Sequence, residues 1–335
     1  MIVDFRSDTV TKPSKAMMDF MFKAPVGDDV FEEDPSINEL EALGAKMFGM
    51  EAGLYCTSGT QTNQIAIKVH TNPGDEVICH EEAHIYRYEG GGMARNSQVS
   101  ARFLRGNSGR INPLEIEENI NPNNLHYPPT TLVSIEDTAN RGGGTIYNFD
   151  DIKTISNICK KNNLNFHLDG ARVFNALAVT GVSTQEYGSQ FNSISICLSK
   201  GLGAPVGSLL LGTKEFITKA RRVRKYLGGG MRQAGIIAAA GIYALQNNIE
   251  RLKDDHRRAK EVETILKQQN WIKEVIPVQT NIVVGILKDP LQQPTIIKNL
   301  KDKGILVVDF GNGRIRLTTH LDITDEHINY LRENI

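Results

Sequence analysis

The chain has no CxxC pair, no apolar run long enough to cross a bilayer, and no surplus of charge of either sign. Each absence closes off a class of function. Its four cysteines, Cys56, Cys79, Cys159 and Cys197, stand far apart and suggest neither a zinc site nor a disulfide framework. They are expected as buried free thiols, which argues for a reducing compartment and a cytoplasmic location. The longest apolar stretch, Gly235 to Leu245, has 11 residues, against the roughly 20 that a membrane helix needs. The first residues, Met1-Ile-Val-Asp-Phe-Arg, carry no apolar core of a signal peptide. With 38 basic and 39 acidic residues the formal net charge is −1, which gives no electrostatic reason to expect nucleic acid or an anionic membrane.

What is present suits a soluble α/β protein. At 335 residues, 40% hydrophobic and 23% charged, the chain is long enough for a large domain and a smaller one. The expected division is 1–245, an N-terminal arm with the large domain, and 246–335, a small C-terminal α/β module. Asp34-Pro35 reads as a helix N-cap followed by Pro at the first helical position. Short apolar runs at Gly53 to Thr57, Glu76 to Cys79, Thr131 to Ile135, Asn165 to Leu168, Ser193 to Leu198 and Val206 to Leu211 alternate with helical stretches. That alternation predicts a largely parallel, doubly wound sheet, with ligands bound beyond the carboxyl ends of its strands. A long helical run is expected over 232–269, then strands at Asn281 to Leu287, Ile305 to Val308 and Arg314 to Thr318.

Two of the predicted strands end in groups that cooperate chemically. The run from Ser193 meets Lys200 at a glycine-rich turn, and the run from Asn165 ends at Asp169. A partly buried lysine amine is the usual handle for Schiff-base chemistry. Pyridoxal phosphate chemistry needs such a lysine for the aldehyde and a charged partner, often Asp, for the pyridine nitrogen. Thr57-Ser58-Gly59-Thr60-Gln61 opens a helix after a strand, which suits a phosphate, although an ordinary capping turn has the same composition. Beside a lysine and a carboxylate the phosphate reading gains. Gly201-Leu-Gly203-Ala-Pro-Val-Gly207 is not a dinucleotide fingerprint: it has one residue too many and leads into an apolar run rather than a helix.

The remaining candidates are weighed against plainer roles. His84 follows a strand and precedes a triple glycine, so it can stack on a cofactor ring or act as a base. His126 lies in a polar loop, and His167, two residues before Asp169 on the same strand face, reads as packed support. Arg172 shares a loop with Asp169, and either it or Arg316 can grip a carboxylate. The basic run Lys219 to Lys225 is ordinarily a solvated helix face, but Gly228-Gly-Gly-Met-Arg232 follows it.

Taken together, Asp4-Phe-Arg-Ser-Asp-Thr-Val-Thr11, Pro25-Val-Gly-Asp-Asp29, Ser58-Gly-Thr-Gln61, His167-Leu-Asp-Gly-Ala-Arg172, Leu198-Ser-Lys-Gly-Leu-Gly203, Gly228-Gly-Gly-Met-Arg-Gln233 and Arg316-Leu-Thr-Thr-His320 make the chain resemble the low-specificity L-threonine aldolases. These are pyridoxal phosphate enzymes of fold type I, the aspartate aminotransferase-like superfamily. The resemblance runs nearly end to end. It implies a transferase-like large domain, and cleavage of L-threonine, L-allo-threonine and other β-hydroxy-α-amino acids to glycine and an aldehyde. It implies Lys200 as the Schiff-base lysine, Asp169 as partner of the pyridine nitrogen, and Gly59 and Thr60 as the phosphate turn. It assigns Ser7, Arg172 and Arg316 to the substrate carboxylate, with Arg172 also beside the cofactor, and His84 to the ring and the chemistry. His126 becomes a second histidine near the substrate hydroxyl, Tyr88 a substrate-side residue, and Lys225 and Arg232 phosphate ligands from a neighbouring subunit of a homotetramer. No metal is implied. Phe31 stands where many members carry tyrosine, and Glu136-Asp-Thr-Ala139-Asn replaces a more usual Glu-Asn-Thr-His-Asn. Rival readings are β-elimination or transamination with the same cofactor, and a phosphate-binding protein without catalysis.

Overall fold

Residues 1–335 are described by a computed structural model. The chain opens with a short strand, β1 (Val3–Asp4), whose partner comes three hundred residues later. Strands β2 (Ala52–Cys56), β3 (Glu76–His80), β4 (Ser100–Leu104), β5 (Thr130–Glu136), β6 (Asn165–Gly170), β7 (Ser193–Cys197) and β8 (Ser208–Gly212) form one sheet in the order β2-β8-β7-β6-β5-β3-β4. Only β8 runs against the rest, antiparallel to β7 and to β2. Every residue of β7 and β8 is buried, as expected of strands covered on both faces.

This topology places the functional ends. Because β2, β3, β5, β6 and β7 share one direction, their carboxyl ends open on one edge. That edge receives the Ser58 turn, His84, Glu136, Asp169 and Lys200. Registers tighten the grouping, since Glu136 pairs with Asp169 and Asp169 with Ser195.

The helices follow their sequence signals. Asp34 caps Pro35–Phe48 by accepting from the Ile37 N–H at 3.0 Å. Ser58 caps Gly59–His70 through the Gln61 N–H. The expected 232–269 helix is instead two, Gly235–Asn247 and Leu252–Lys267. The first is apolar nearly all round and buried, and at Gly241 a Cβ would come within 3 Å of Leu198 and Leu40 side chains. That close approach needs glycine. Strand β4 escaped the sequence reading because it is a polar edge, Ser-Ala-Arg-Phe-Leu, with one fully buried residue.

After these helices come β9 (Ile272–Val275), β10 (Ile282–Leu287), β11 (Ile305–Leu306), β12 (Val308–Asp309) and β13 (Arg314–Thr318). Strands β12-β13-β10-β9 form a second, antiparallel sheet. The expected strand at 305–308 is thus split, and its first half is the partner of β1. Val3 donates to the Gly304 carbonyl, Phe5 to Leu306, and Thr318 to Phe5, each at 2.8 Å. Val3 and Phe5 accordingly pack in the hydrophobic cluster of Val262, Ile272, Val283, Ile315 and Leu317 rather than in the larger one around Phe166, Ile194 and Leu209. The first residues of the arm, expected with the large sheet, are built into the C-terminal module. All four cysteines are buried and unpaired, and no helix is long and apolar enough to cross a membrane.

Candidate active site

A cleft of about 190 Å³ opens at the shared sheet edge, with Ser58, Gly59, Thr60, Asn63, His84, Asp169, Ala171, Ser199 and Lys200 among its lining. Sequence-distant residues thus meet in one place. A larger hollow of about 450 Å³ beside Asn107, Arg110, Glu115 and Asp151 lacks any lysine. Lys200, just past β7, is half-buried. The N–H groups of Gly59 and Thr60 start a helix and have no intrahelical acceptor, so they are open to an anion. Asp169 accepts from the Ala171 N–H at 3.2 Å and from the Asn63 amide at 2.9 Å.

His84 begins a short helix after β3, and its backbone N–H donates to Glu136 at 3.2 Å. Its ring Nδ1 lies 3.0 Å from a carboxylate oxygen of buried Glu89. An N–H is required there, so the neutral ring has Nε2 free as an acceptor. Burial pulls the imidazole's pKa down, but Glu89, Asp169 and Glu136 outweigh it and the net shift is upward. Burial, then the charge of Asp169, pushes the Glu136 carboxyl up. The Tyr88 ring, half-exposed, lies 5.7 Å from the His84 ring.

The two arginines differ in a way the sequence does not show. Arg172 is buried and already forked onto Asp8, through Nε at 2.7 Å and one Nη at 2.6 Å. That fork commits two of its five N–H donors to Asp8. Burial alone would raise the Asp8 carboxyl; Arg172, the charge of Lys200 and the Asn281 amide instead hold it well below the usual carboxylate range. Arg316, on β13 and 9% exposed, bonds only neutral oxygens: Asn140 Oδ1 at 2.8 Å and the Arg6 carbonyl at 2.9 Å. Its Nε has no partner. Burial, with the charge of Arg172 next, lowers it to about 10. A buried guanidinium that bonds only neutral oxygens keeps an N–H available to an anion. Ser7 caps the turn at Asp8–Val10 on the same stretch of chain.

Three expected residues lie elsewhere. His126 sits in an exposed turn closed by Tyr127 N–H to Asn124, and is not in the cleft lining. Lys225 lines a separate pocket with Asp29, Arg222 and Gly230. Arg232 pairs with Asp28 at 2.9 Å and is largely exposed. No one of them completes the Lys200 cleft of its own chain.

With this geometry in view, comparison with known proteins is decisive. The beta-eliminating lyase family matches residues 4–289. The chain is 40% identical to low-specificity L-threonine aldolase 1 of Arabidopsis thaliana, over 98% of this chain and 94% of that protein. It is 38% identical to the low specificity L-threonine aldolase of Escherichia coli K12, over 98% and 96%. The chain belongs to the low-specificity L-threonine aldolases. Its fold agrees with that of the threonine aldolase of Leishmania major, with a TM-score of 0.84 at 21% identity, covering 98% of this chain and 97% of that one. Membership in this aldolase family explains the legible part of the cleft. Asn63, Glu89, Glu136 and Asp8 were not legible as site residues. The only sequence signals were Asn63 one turn into the phosphate-type helix and Glu89 immediately before a triple glycine.

Proposed function

We propose that this chain cleaves L-threonine, L-allo-threonine and related β-hydroxy-α-amino acids to glycine and an aldehyde, using pyridoxal phosphate held at Lys200. The observation that carries the reading is the meeting of Lys200, Asp169 and the open Gly59–Thr60 helix start in one cleft. The donor set fits the cofactor: an amine for its aldehyde, a carboxylate for its ring nitrogen, unsatisfied N–H groups for its phosphate, and His84 beside the ring. When bound, the cofactor supplies an electron-accepting ring for the pair released by Cα–Cβ cleavage.

The protein's own residues do the rest. Arg316, with Ser7, holds the substrate carboxylate; Arg172 acts behind them by fixing Asp8 and the arm that carries Ser7. Anchoring the carboxylate would fix the orientation of the α-carbon's bonds and so select which of them breaks. The Nε2 of His84, or a water on it, takes the β-hydroxyl proton as the aldehyde forms, and Glu89 steadies the resulting imidazolium. A proton returned to the α-carbon gives glycine, and the Lys200 amine, displaced while the substrate is bound, takes the cofactor back as glycine leaves. The cofactor-bearing unit is 1–245 and the module bearing Arg316 is 246–335, with Val3 and Phe5 crossing to the second. Lys225, Arg232 and His126 serve the cleft of a neighbouring copy, with Tyr88 on the substrate side, in a cytoplasmic homotetramer.

The test is incubation of pyridoxal phosphate-loaded protein with L-threonine, following acetaldehyde and glycine. Lys200→Ala is expected to abolish both turnover and the visible absorbance of the lysine-bound cofactor. Ammonia and a keto acid in place of acetaldehyde would move the activity to β-elimination. A protein that stays colourless with added cofactor would refute the reading.

A further inference from the structure

Asn63 stands on the first turns of the Gly59–His70 helix, 1% exposed, and its side-chain hydrogen bonds are all to other side chains. Its Nδ2 donates to Asp169 Oδ2 and to Glu89 Oε1, both at 2.9 Å. Its Oδ1 lies 3.1 Å from His167 Nε2. The orientation is forced from both sides. Carboxylates accept, so the nitrogen faces them, and the oxygen left over can only receive an N–H from His167.

That N–H fixes everything behind it. Burial lowers His167 to about 3 and His70 to about 3, so both rings are neutral and each has one donor and one acceptor nitrogen. With Nε2 of His167 protonated, its Nδ1 accepts from the Ser193 hydroxyl at 2.8 Å. Ser193 Oγ in turn accepts from Nε2 of His70 at 2.7 Å. His70 is held by stacking on Phe216, with ring centroids 4.5 Å apart. The result is a one-directional chain, His70 to Ser193 to His167 to Asn63, that ends by pointing two amide hydrogens at two carboxylates. Glu89 passes the constraint on: its other oxygen accepts from Gln64 at 2.6 Å, and Oε1 also meets His84 Nδ1. The ligating atoms of His84, Glu89 and Asp169 lie within 4.8 Å of one another, so the shared amide is what separates two buried carboxylates.

We propose that Asn63 is the positioning residue of this site: one amide fixes Asp169 as acceptor for the cofactor ring and, through Glu89, fixes which nitrogen of His84 is open to the substrate. Both ends of the reaction are thereby set by a single side chain, backed from behind by His167, Ser193 and His70. This rests on reading the cleft as a pyridoxal phosphate site.

The experiment compares wild type, Asn63→Leu, Asn63→Asp and Ser193→Ala, each loaded with pyridoxal phosphate and checked for folding by circular dichroism. Asn63→Leu keeps the branched side-chain skeleton and removes the amide. Its cofactor dissociation constant is expected to rise, and kcat for threonine to fall, by about tenfold or more, in the range seen when outer partners of a liganding group are lost. KM is expected to change less than kcat, because no substrate contact is removed. Asn63→Asp places a third carboxylate against two others, so a proton must be shared among them. It is expected to show an ionisation that wild type lacks, both in the pH titration of the visible absorbance and in kcat/KM. A merely structural asparagine would not produce that feature. If either Asn63 variant fails to fold, Ser193→Ala reads the same chain from behind, with a smaller change in the same direction. Folded variants whose cofactor affinity, spectrum and pH profile match wild type would overturn the proposal. A wild-type protein that takes up no pyridoxal phosphate would instead overturn the reading of the site.

Discussion

Asp8→Asn is the most informative single change outside the chemistry. Asp8 is completely buried, and both of its oxygens are gripped by Arg172. The positive groups whose fields reach it include Lys200, and Arg316 is nearby, since the charges of Asp8 and Arg172 both act on it. Asp8 is thus the counter-charge for a buried cationic cluster. Replacing it with asparagine keeps the shape and one acceptor oxygen but leaves Arg172 uncompensated. Removing one partner of a buried pair typically costs about 3–5 kcal/mol. The retained acceptor returns part of that, so a loss of about 3 kcal/mol is expected. Urea unfolding at fixed protein concentration, with m unchanged, measures it. The pH dependence supplies a second check. A carboxyl whose folded pKa is depressed contributes stability above its unfolded value, about 3.9, and loses it as pH falls through the folded value. The gap between wild type and Asp8→Asn should therefore be full at neutral pH and shrink only below about pH 4. A loss under about 1 kcal/mol, typical of an exposed pair, or a gap that widens in acid, would refute the assignment of Asp8 as the buried counter-charge.

Other expectations are more direct. Arg316→Leu should raise KM for threonine by about 10- to 100-fold, the equivalent of one lost charge-assisted bond of about 1.5–3 kcal/mol, while Arg172→Leu should act mainly on stability. Steady-state kinetics and urea melts separate the two, and equal KM effects would contradict the different partners seen for them. Glu89→Gln removes a group that raises His84, so the acid limb of kcat/KM should move to lower pH; an unmoved or raised limb would remove His84 from proton transfer. Mixing inactive Lys200→Ala and Lys225→Ala chains should restore about a quarter of wild-type sites if each cleft borrows Lys225 from a neighbour in randomly paired dimers. No recovery after subunit exchange would show that Lys225 is not lent to a neighbour's cleft.

The parts of the site that could be read in advance were those marked by local grammar. Lys200 and Asp169 terminate apolar runs, and Ser58-Gly59-Thr60 is a strand-to-helix turn; each signal lies within a few residues. Parallel topology then does the joining, because strands running one way deliver their ends to one edge. The contacts that could not be read are long in sequence and depend on which oxygen faces which nitrogen. Asn63 meets Asp169 across 106 positions and Arg172 meets Asp8 across 164. Nothing in the residue types distinguishes an arginine forked onto a buried aspartate from one that bonds only neutral oxygens, yet that is how Arg172 and Arg316 differ. The edge strand β4 and the crossing of β1 to the C-terminal module were hidden for a related reason: their partners, not their composition, define them.

The pairing of Val3 with Ile305 also has a temporal meaning. A ribosome delivers β1 first and its partner almost last, about 15 to 60 s later at 5–20 residues per second. For most of synthesis the large sheet can form while the opening segment has nowhere to dock. Ser7 and Arg316, on either side of that late joint, come into register only when the chain is nearly complete. The edge that bears Lys200 and Asp169 can thus be assembled early, while the joint that sets Ser7 beside Arg316's strand is finished at the end.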